Sequence, residues 1–431
     1  MLLDRPEMHS ESDVAVAEAK AAAIPTYDVA IVGGGIVGLV VACGLRQTGL
    51  KVAIIEALTQ ATAAKQAQAY AFSLSSAKIF QGLGLWDQVR SSLEPFRRIR
   101  LSDCDWPDVV EFWPQDAGMQ TELGYVAAHN TLLEALQGAV NRSPHCTWIG
   151  PATATVLDYG ADCAELVIAP NGEGVTVPSR LRAKLVVAAD GARSPLREAA
   201  GIPRRGWAYW QSCIVAAVKA EQHHQNIAYE RFQTSGPFAI LPLGDVCRLV
   251  WTAPHAEAQA MLALDDPAFL RALSQRFGPQ MGQLELVGGR YLFPVRLMQC
   301  DRYVGHRLAL AGDAAHCCHP VGGQGLNMGI RDAAALVDVI QGAIARGEDF
   351  GQVAVLRRYD RWRRWGNWVI LAFTDLLDRL FSTQLWPVVW VRRLGLAALK
   401  RVPPLKSLAL RLMTGLLGKM PSLGRLADSN P

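Results

Sequence analysis

Residues 27–56 read YDVAIVGGGIVGLVVACGLRQTGLKVAIIE. Tyr27 to Val32 is a short apolar run rich in β-branched side chains, which reads as a buried strand. Gly33-Gly34-Gly35-Ile36-Val37-Gly38 follows at once. Leu39 to Thr48 reads as a helix closed by Gly49, and Lys51 to Ile55 as a second strand with Glu56 at its end. This is one strand–helix–strand unit with G-x-G-x-x-G at its first turn. The first glycine permits the tight turn, the second lets the backbone approach a pyrophosphate, and the third lets helix pack on strand. The start of the helix offers free N–H groups and partial positive charge to phosphates. Glu56 can accept hydrogen bonds from ribose hydroxyls. The pattern predicts a dinucleotide site made of Gly33, Gly34, Gly35, Ile36, Val37, Gly38 and Glu56. It does not choose between a flavin and a nicotinamide dinucleotide.

A second pattern lies far downstream, at residues 307–332: RLALAGDAAHCCHPVGGQGLNMGIRD. A buried strand ends in Gly312-Asp313, where a carboxylate can hold a polyol hydroxyl. The Gly322-Gly323-Gln324-Gly325 loop opens backbone N–H groups ahead of a helix expected to begin near Leu326. Such a helix start can stabilise developing negative charge. A third strand, Leu185 to Ala189, runs into Asp190-Gly191. His316-Cys317-Cys318-His319 lacks the spacing of metal ligands, so no metal is expected there. No nucleophile–base set is legible, and no catalytic side chain is assigned.

The texture between these patterns differs. CIVAAVKA, IAYERF, PFAILPL and CRLVWTA, from about residue 211 to 254, are strand-like and punctuated by Gly, Pro and Asp. They predict a meandering antiparallel sheet. Helices are expected at Asp266 to Phe277, Ile330 to Ala345 and Val353 to Phe373.

The chain has 431 residues, 50% hydrophobic and 19% charged, enough for about two or three structural units with a large core. Nine cysteines, odd in number and irregular in spacing, read as reduced thiols in a cytoplasmic protein. Residues 1–24 carry several acids and read as an Ala-rich extension, not a secretory signal. No run of about 18 apolar residues predicts a membrane span. The net charge of +4 is unevenly distributed: residues 341–431 hold 15 Lys and Arg against 6 Asp and Glu. From Arg379 to Arg425 there are nine basic residues and no acid, interleaved with Trp386, Trp390 and many leucines. That composition suits an anionic membrane interface. A helical cap with a solvated basic rim is the plainer alternative. No recognition motif supports nucleic-acid binding.

Gly312-Asp313-Ala314-Ala315-His316, then Pro320, Gly323-Gln324-Gly325, Asn327, Gly329 and Asp332-Ala333, resemble the second FAD signature of aromatic-ring flavoprotein hydroxylases. The ubiquinone-biosynthesis branch is the most similar. Ser73 to Trp86, Gly206-Trp207-x-Tyr209-x-Gln211, Gly236-Pro237 and Leu241-Pro242-Leu243 also look like segments of that branch. The resemblance covers nearly the whole chain after residue 25. It implies an α/β FAD-binding fold with an antiparallel-sheet substrate domain and a helical C-terminal region. The FAD domain is expected over 25–202 and 301–350, with a substrate-domain excursion near 97–115. The substrate domain is expected over 203–300 and the basic helical region over 351–431.

The resemblance further implies contacts to FAD from Asp190, Gly312, Asp313, Pro320, Gly323, Gln324, Gly325, Leu326 and Asn327. Relatives often carry Arg where this chain has Gln68 and Asn130; both can still hydrogen-bond the cofactor. Phe238, Ile240, Leu241, Pro242 and Val321 are the expected substrate contacts. The implied chemistry uses NADPH or NADH to reduce FAD, and O₂ to form a C4a-hydroperoxide of the reduced flavin. One oxygen then goes to the ring of a prenylated phenol or quinol on the way to ubiquinone or plastoquinone. Peripheral attachment to an anionic membrane is expected. Alternatives are a reductase or halogenase of the same fold, or a non-catalytic FAD-binding scaffold in a quinone-biosynthesis complex. The Trp-x-Trp-x-Ile pattern usual in halogenases is not found.

Overall fold

The computed structural model describes residues 24–425 except 67, 104, 105, 107, 120 and 173. The expected N-terminal extension, bar its last residue, lies outside the described residues. The first strand, Thr26–Val32, has its last four side chains buried and sits mid-sheet. It pairs in parallel with Val52–Ile55 on one side and Arg180–Ala188 on the other. Cys146–Ile149 and Leu308–Leu310 continue this parallel core outward. Near-continuous apolar strands are what a sheet covered on both faces requires. The chain leaves the first strand toward Val52–Ile55 and later returns on its opposite side. The strand order therefore reverses at the carboxyl end of Thr26–Val32, where an α/β sheet opens a crevice for ligands.

A second eight-stranded sheet runs in the order His316–Cys317, Leu284–Cys300, Arg204–Ala220, Val246–Pro254, Phe238–Leu243, Ile227–Phe232, Arg98–Asp103, Val109–Phe112. All its pairings are antiparallel except Ile227–Phe232 with Arg98–Asp103. Helices His255–Ala263 and Asp266–Phe277 contact its strands. They bury one cluster with Ile214, Phe238, Ile240, Leu249 and Trp251. Side chains alternate faces along a strand. Ala239 and Leu241 thus face the other way, into the interior of the molecule.

Four helices close the chain: Val353–Phe381, Trp386–Arg401, Pro403–Met413 and Ser422–Arg425. The first runs eight residues past its expected end at Phe373. Its inward side carries Asp360, Arg363, Asn367 and Asp378, all buried. Phe381, Leu396 and Leu410 bury a cluster with Phe96, Val110, Phe112 and Phe232 from the sheet side. Arg392 Nε donates to Asp103 at 2.8 Å, and both side chains are nearly inaccessible. Lys400 reaches Asp108 and Lys406 reaches Asp116, each at 2.7 Å. The C-terminal helices are thereby fastened to the segment that carries the last two strands of the sheet.

Candidate flavin and substrate cavity

Two helix starts open on one cavity. Helix Ile36–Leu45 begins after Gly35, and no side chain caps it. An added Cβ at Gly33 would meet Ala189 O at 2.2 Å, and one at Gly38 would meet Gly33 O at 2.0 Å. At Gly35 it would meet nothing within 4 Å. The outer glycines thus serve close packing, and the middle one leaves open room. Helix Gln324–Ala345 begins after Gly323, again without a side-chain cap. Gly322 and Gly323 have φ of +66° and +59°, a left-handed pair that favours glycine. Gly35, Ile36 and Val37 line the cavity from the first start, and Gly323 to Leu326 from the second.

The cavity measures about 1160 Å³. Pockets for one small ligand span roughly 300–1,000 Å³. Gln68, Tyr70, His129, Asp313 and Pro320 line its first part. Asp313 has no hydrogen-bond partner for its carboxyl among the described residues, and burial raises its pKa. Tyr70 donates to Gln68 Oε1 at 2.5 Å and lies 3.0 Å from His129 Nδ1. Burial lowers the pKa of His129, against a raising hydrogen bond to Ala63 O. The far part is almost wholly apolar and runs between the large sheet and the C-terminal helices. Leu376, Val391, Leu405 and Leu408 line it and are also exposed, so the cavity reaches the surface between three helices.

Several expected contacts lie off the cavity wall. Glu56 accepts from Gly34 N at 2.6 Å and from Leu58 N at 3.0 Å, which fixes its carboxylate beside the glycine turn. Asp190 does not line the cavity, although Ala189 and Gly191 do. One of its oxygens is buried without a partner, and burial raises its pKa. Gly312 lies against Val37. Asn327 is saturated: Oδ1 accepts from Ser73 N and Ser76 Oγ, while Nδ2 donates to Ala71 O and Gly323 O. It locks the second glycine loop to the strand Ala69–Ser73. Asn130 is exposed; one step along the helix turns it away, and its neighbour His129 faces the cavity.

On the substrate side Leu241 and Val321 line the cavity. Phe238 and Ile240 do not: they point into the helix-covered core on the opposite face. Pro242, two residues on from Ile240, is off the lining as well. The expected strand in PFAILPL forms over Phe238–Leu243, but alternation sends every second residue away from the cavity.

Behind the second glycine loop sits Asp332, with no accessible surface. It lies 2.5 Å from His316 Nε2 and accepts from Arg363 at 2.8 Å and Asn367 at 2.9 Å. Burial would raise its pKa, but His316 and Arg363 hold it well below the carboxylate range. His319, next to Pro320, lies 3.1 Å from Gln211 Oε1 and 3.5 Å from Asp378. Burial pushes its pKa down to about 3, so the ring is neutral.

The FAD binding domain family model matches residues 26–374. Ubiquinone hydroxylase UbiL of Rhodospirillum rubrum is 39% identical over 94% of this chain and 93% of its own length. The 3-demethoxyubiquinol 3-hydroxylase of Escherichia coli is 35% identical over 90% of this chain and 98% of its own. The chain belongs to the FAD-dependent ubiquinone hydroxylase family. An uncharacterized protein of Synechocystis sp. is 50% identical over 92% of this chain and 95% of its own length. In structure, p-nitrophenol 4-monooxygenase PnpA of Pseudomonas putida superposes with a TM-score of 0.74 at 20% identity. That match covers 91% of this chain and 99% of the other, and carries the flavin monooxygenase fold.

As a ubiquinone-hydroxylase-family monooxygenase the chain uses FAD, with NAD(P)H and O₂ as co-substrates. The residues present fit that cofactor. Two uncapped helix starts face one cavity, open room stands at Gly35, and the Asp313 carboxyl awaits a hydroxyl partner. His129 and Tyr70 were not singled out from the sequence, because a lone aromatic or histidine before a helix carries no pattern.

Proposed function

We propose that this enzyme hydroxylates the ring of a prenylated phenol or quinol bound in the apolar part of the cavity, while docked on an anionic membrane. Residues 25–202 and 301–350 would form the FAD unit, with 203–300 and the strands near 97–115 as the substrate unit. Gly35, Ile36 and Val37 would hold the pyrophosphate and Asp313 the polyol. Glu56 keeps lone pairs for the ribose, since an ionised carboxylate has about four. The N–H groups at Gly323 to Leu326 would face the flavin's electron-accepting edge, where a helix start favours negative charge. Gly33, Gly34, Gly38, Gly312, Asp190 and Asn327 would shape the cradle. Gln68 would reach the cofactor from the wall, and Asn130 drops out of this set. Bound and reduced FAD supplies the activation of oxygen. The protein's part is to orient the ring, exclude water and keep the apolar wall closed around the reaction.

The single observation that carries this reading is the course of the cavity: one continuous space from the glycine loops to a mouth of exposed apolar side chains. A polar head and a long hydrocarbon tail match its two ends. On the helix that gives Val391 to the mouth, Trp386, Trp390 and Leu394 recur every four residues and share one exposed face. Such a face suits the bilayer interface. Among the described residues no helix is long and apolar enough to cross a membrane.

The test is the visible spectrum of the FAD-loaded protein under anaerobic NADPH, with and without a mono-prenylated phenol. Much faster bleaching with the phenol, and hydroxylated product on admitting air, is the expected result. Bleaching independent of the phenol, with peroxide alone on re-oxidation, would defeat the reading.

A further inference from the structure

The sheet wall of the cavity carries a polar group where hydrocarbon would serve the fold better. Val215 pairs with Val250, Val250 with Ala239, Ala239 with Glu230, and Glu230 with Leu101. These five side chains form one row across the sheet, and all line the cavity. Glu230 is the acid in the row. Ala228 and Phe232 flank it on the same face of its strand and belong to the buried cluster that includes Val321 of the second glycine loop. The acid thus looks into the space between the substrate sheet and that loop. Its carboxyl has no hydrogen-bond or ion-pair partner among the described residues. An unpaired polar group costs stability in such a place.

We propose that Glu230 binds the ring hydroxyl of the substrate and accepts its proton. The inference rests on the ring-hydroxylase reading above. The O–H bond of the ring breaks, the proton forms a new bond to a Glu230 carboxylate oxygen, and the electron pair stays on the ring oxygen. That pair enriches the ring carbons to which oxygen is added. The proton leaves to solvent when product departs. Burial pushes the Glu230 pKa up to about 8. A phenol titrates near 10, so this carboxylate, once it sheds its own proton as pH rises through 8, is a far better matched base than an ordinary one.

Other titratable groups share the cavity wall. Tyr70, Cys317 and Cys318 are raised by burial, and His129 is lowered by it. Arg392 is held by Asp103. Tyr229, Arg248 and Asp313 complete the set, with Cys213 behind the wall. Glu230→Gln removes one titration and leaves all of these.

The test follows the ultraviolet difference spectrum of a mono-prenylated phenol bound to the FAD-loaded protein from pH 6 to 10. In wild type the absorption band of the bound phenol should move to the red through a pH near 8, where Glu230 sheds its own proton and takes on the ring hydroxyl's. In Glu230→Gln that step should vanish and leave only ionisation near 10, with FAD content unchanged and phenol affinity within a few-fold. Product per NADPH should fall roughly 100-fold, with peroxide in its place. Glu230→Asp should recover part of the step, which guards against a merely structural defect. The same step near pH 8 and an unchanged pH profile in Glu230→Gln would overturn the proposal. A wild type that shows the step without hydroxylating the phenol would sustain Glu230 and defeat the hydroxylase reading. One that neither binds the phenol nor shows the step would defeat both.

Discussion

Glu230 also leaves a mark on the stability of the chain. Its unfolded pKa is near 4.5 and its folded pKa about 8. Between those values the folded state holds a proton that the unfolded state releases. The contribution is therefore fully present below pH 4.5 and is lost as pH rises through 8. Glu230→Gln should melt close to wild type at pH 4.5 and above it at pH 9, by up to about 4 kcal/mol of stability. Parallel melting curves at the two pH values check this; equal pH dependence in both proteins would refute it. The same residue explains a limit of sequence reading. A charged side chain inside IAYERF is ordinarily solvent-facing, and no pattern announces a cavity on the inner face of the sheet. The glycines were legible because each answers a local geometric demand, such as the left-handed pair Gly322-Gly323.

At the scale of elements, the second glycine loop is held from behind. Helix Gln324–Ala345 contributes Asp332 and helix Val353–Phe381 contributes Arg363 and Asn367. His316, on the strand before the loop, completes the node. Asp332→Asn would leave Arg363 buried without its countercharge. Breaking such a pair costs about 3–5 kcal/mol. The variant should unfold at lower urea and retain less flavin absorbance per chain. Unaltered stability and full flavin content would show the node to be dispensable. Helix Asp266–Phe277 and strand Ile227–Phe232 were legible to the residue, since each has clear punctuation. The faces of the strands were not: Phe238 and Ile240 differ from Ala239 and Leu241 only in parity, and both sides of that sheet are apolar.

For the whole molecule, the basic C-terminus leaves less free charge for an anionic surface than its composition suggests. Of the nine basic residues from Arg379 to Arg425, Arg379, Arg392, Lys400 and Lys406 form ion pairs with acids of the same chain. Arg393 and Lys419 lie over the rings of Trp106 and Trp362. A charge count along the sequence cannot see partners that are brought in by folding. The proposed membrane attachment should then depend on Trp386 and Trp390, which are 74% and 57% exposed, more than on salt. Flotation with anionic vesicles should lose most of the protein when both are changed to Ser. Raising salt should weaken binding far less. A binding loss driven by salt alone, with the double variant unaffected, would assign attachment to charge.

The pairing of Arg392 with Asp103 spans 289 residues of chain. Synthesis proceeds at about 5–20 residues per second. Roughly 15–60 s therefore pass between the emergence of the two partners. The last strand of the sheet ends at Cys317, 75 residues before Arg392, so for roughly the final 4–15 s of that interval the nascent chain has its sheet but not its cover, and the greasy channel is an open trough. The newborn protein passes through a period of stickiness that the finished one does not have, and it ends only when the tail arrives.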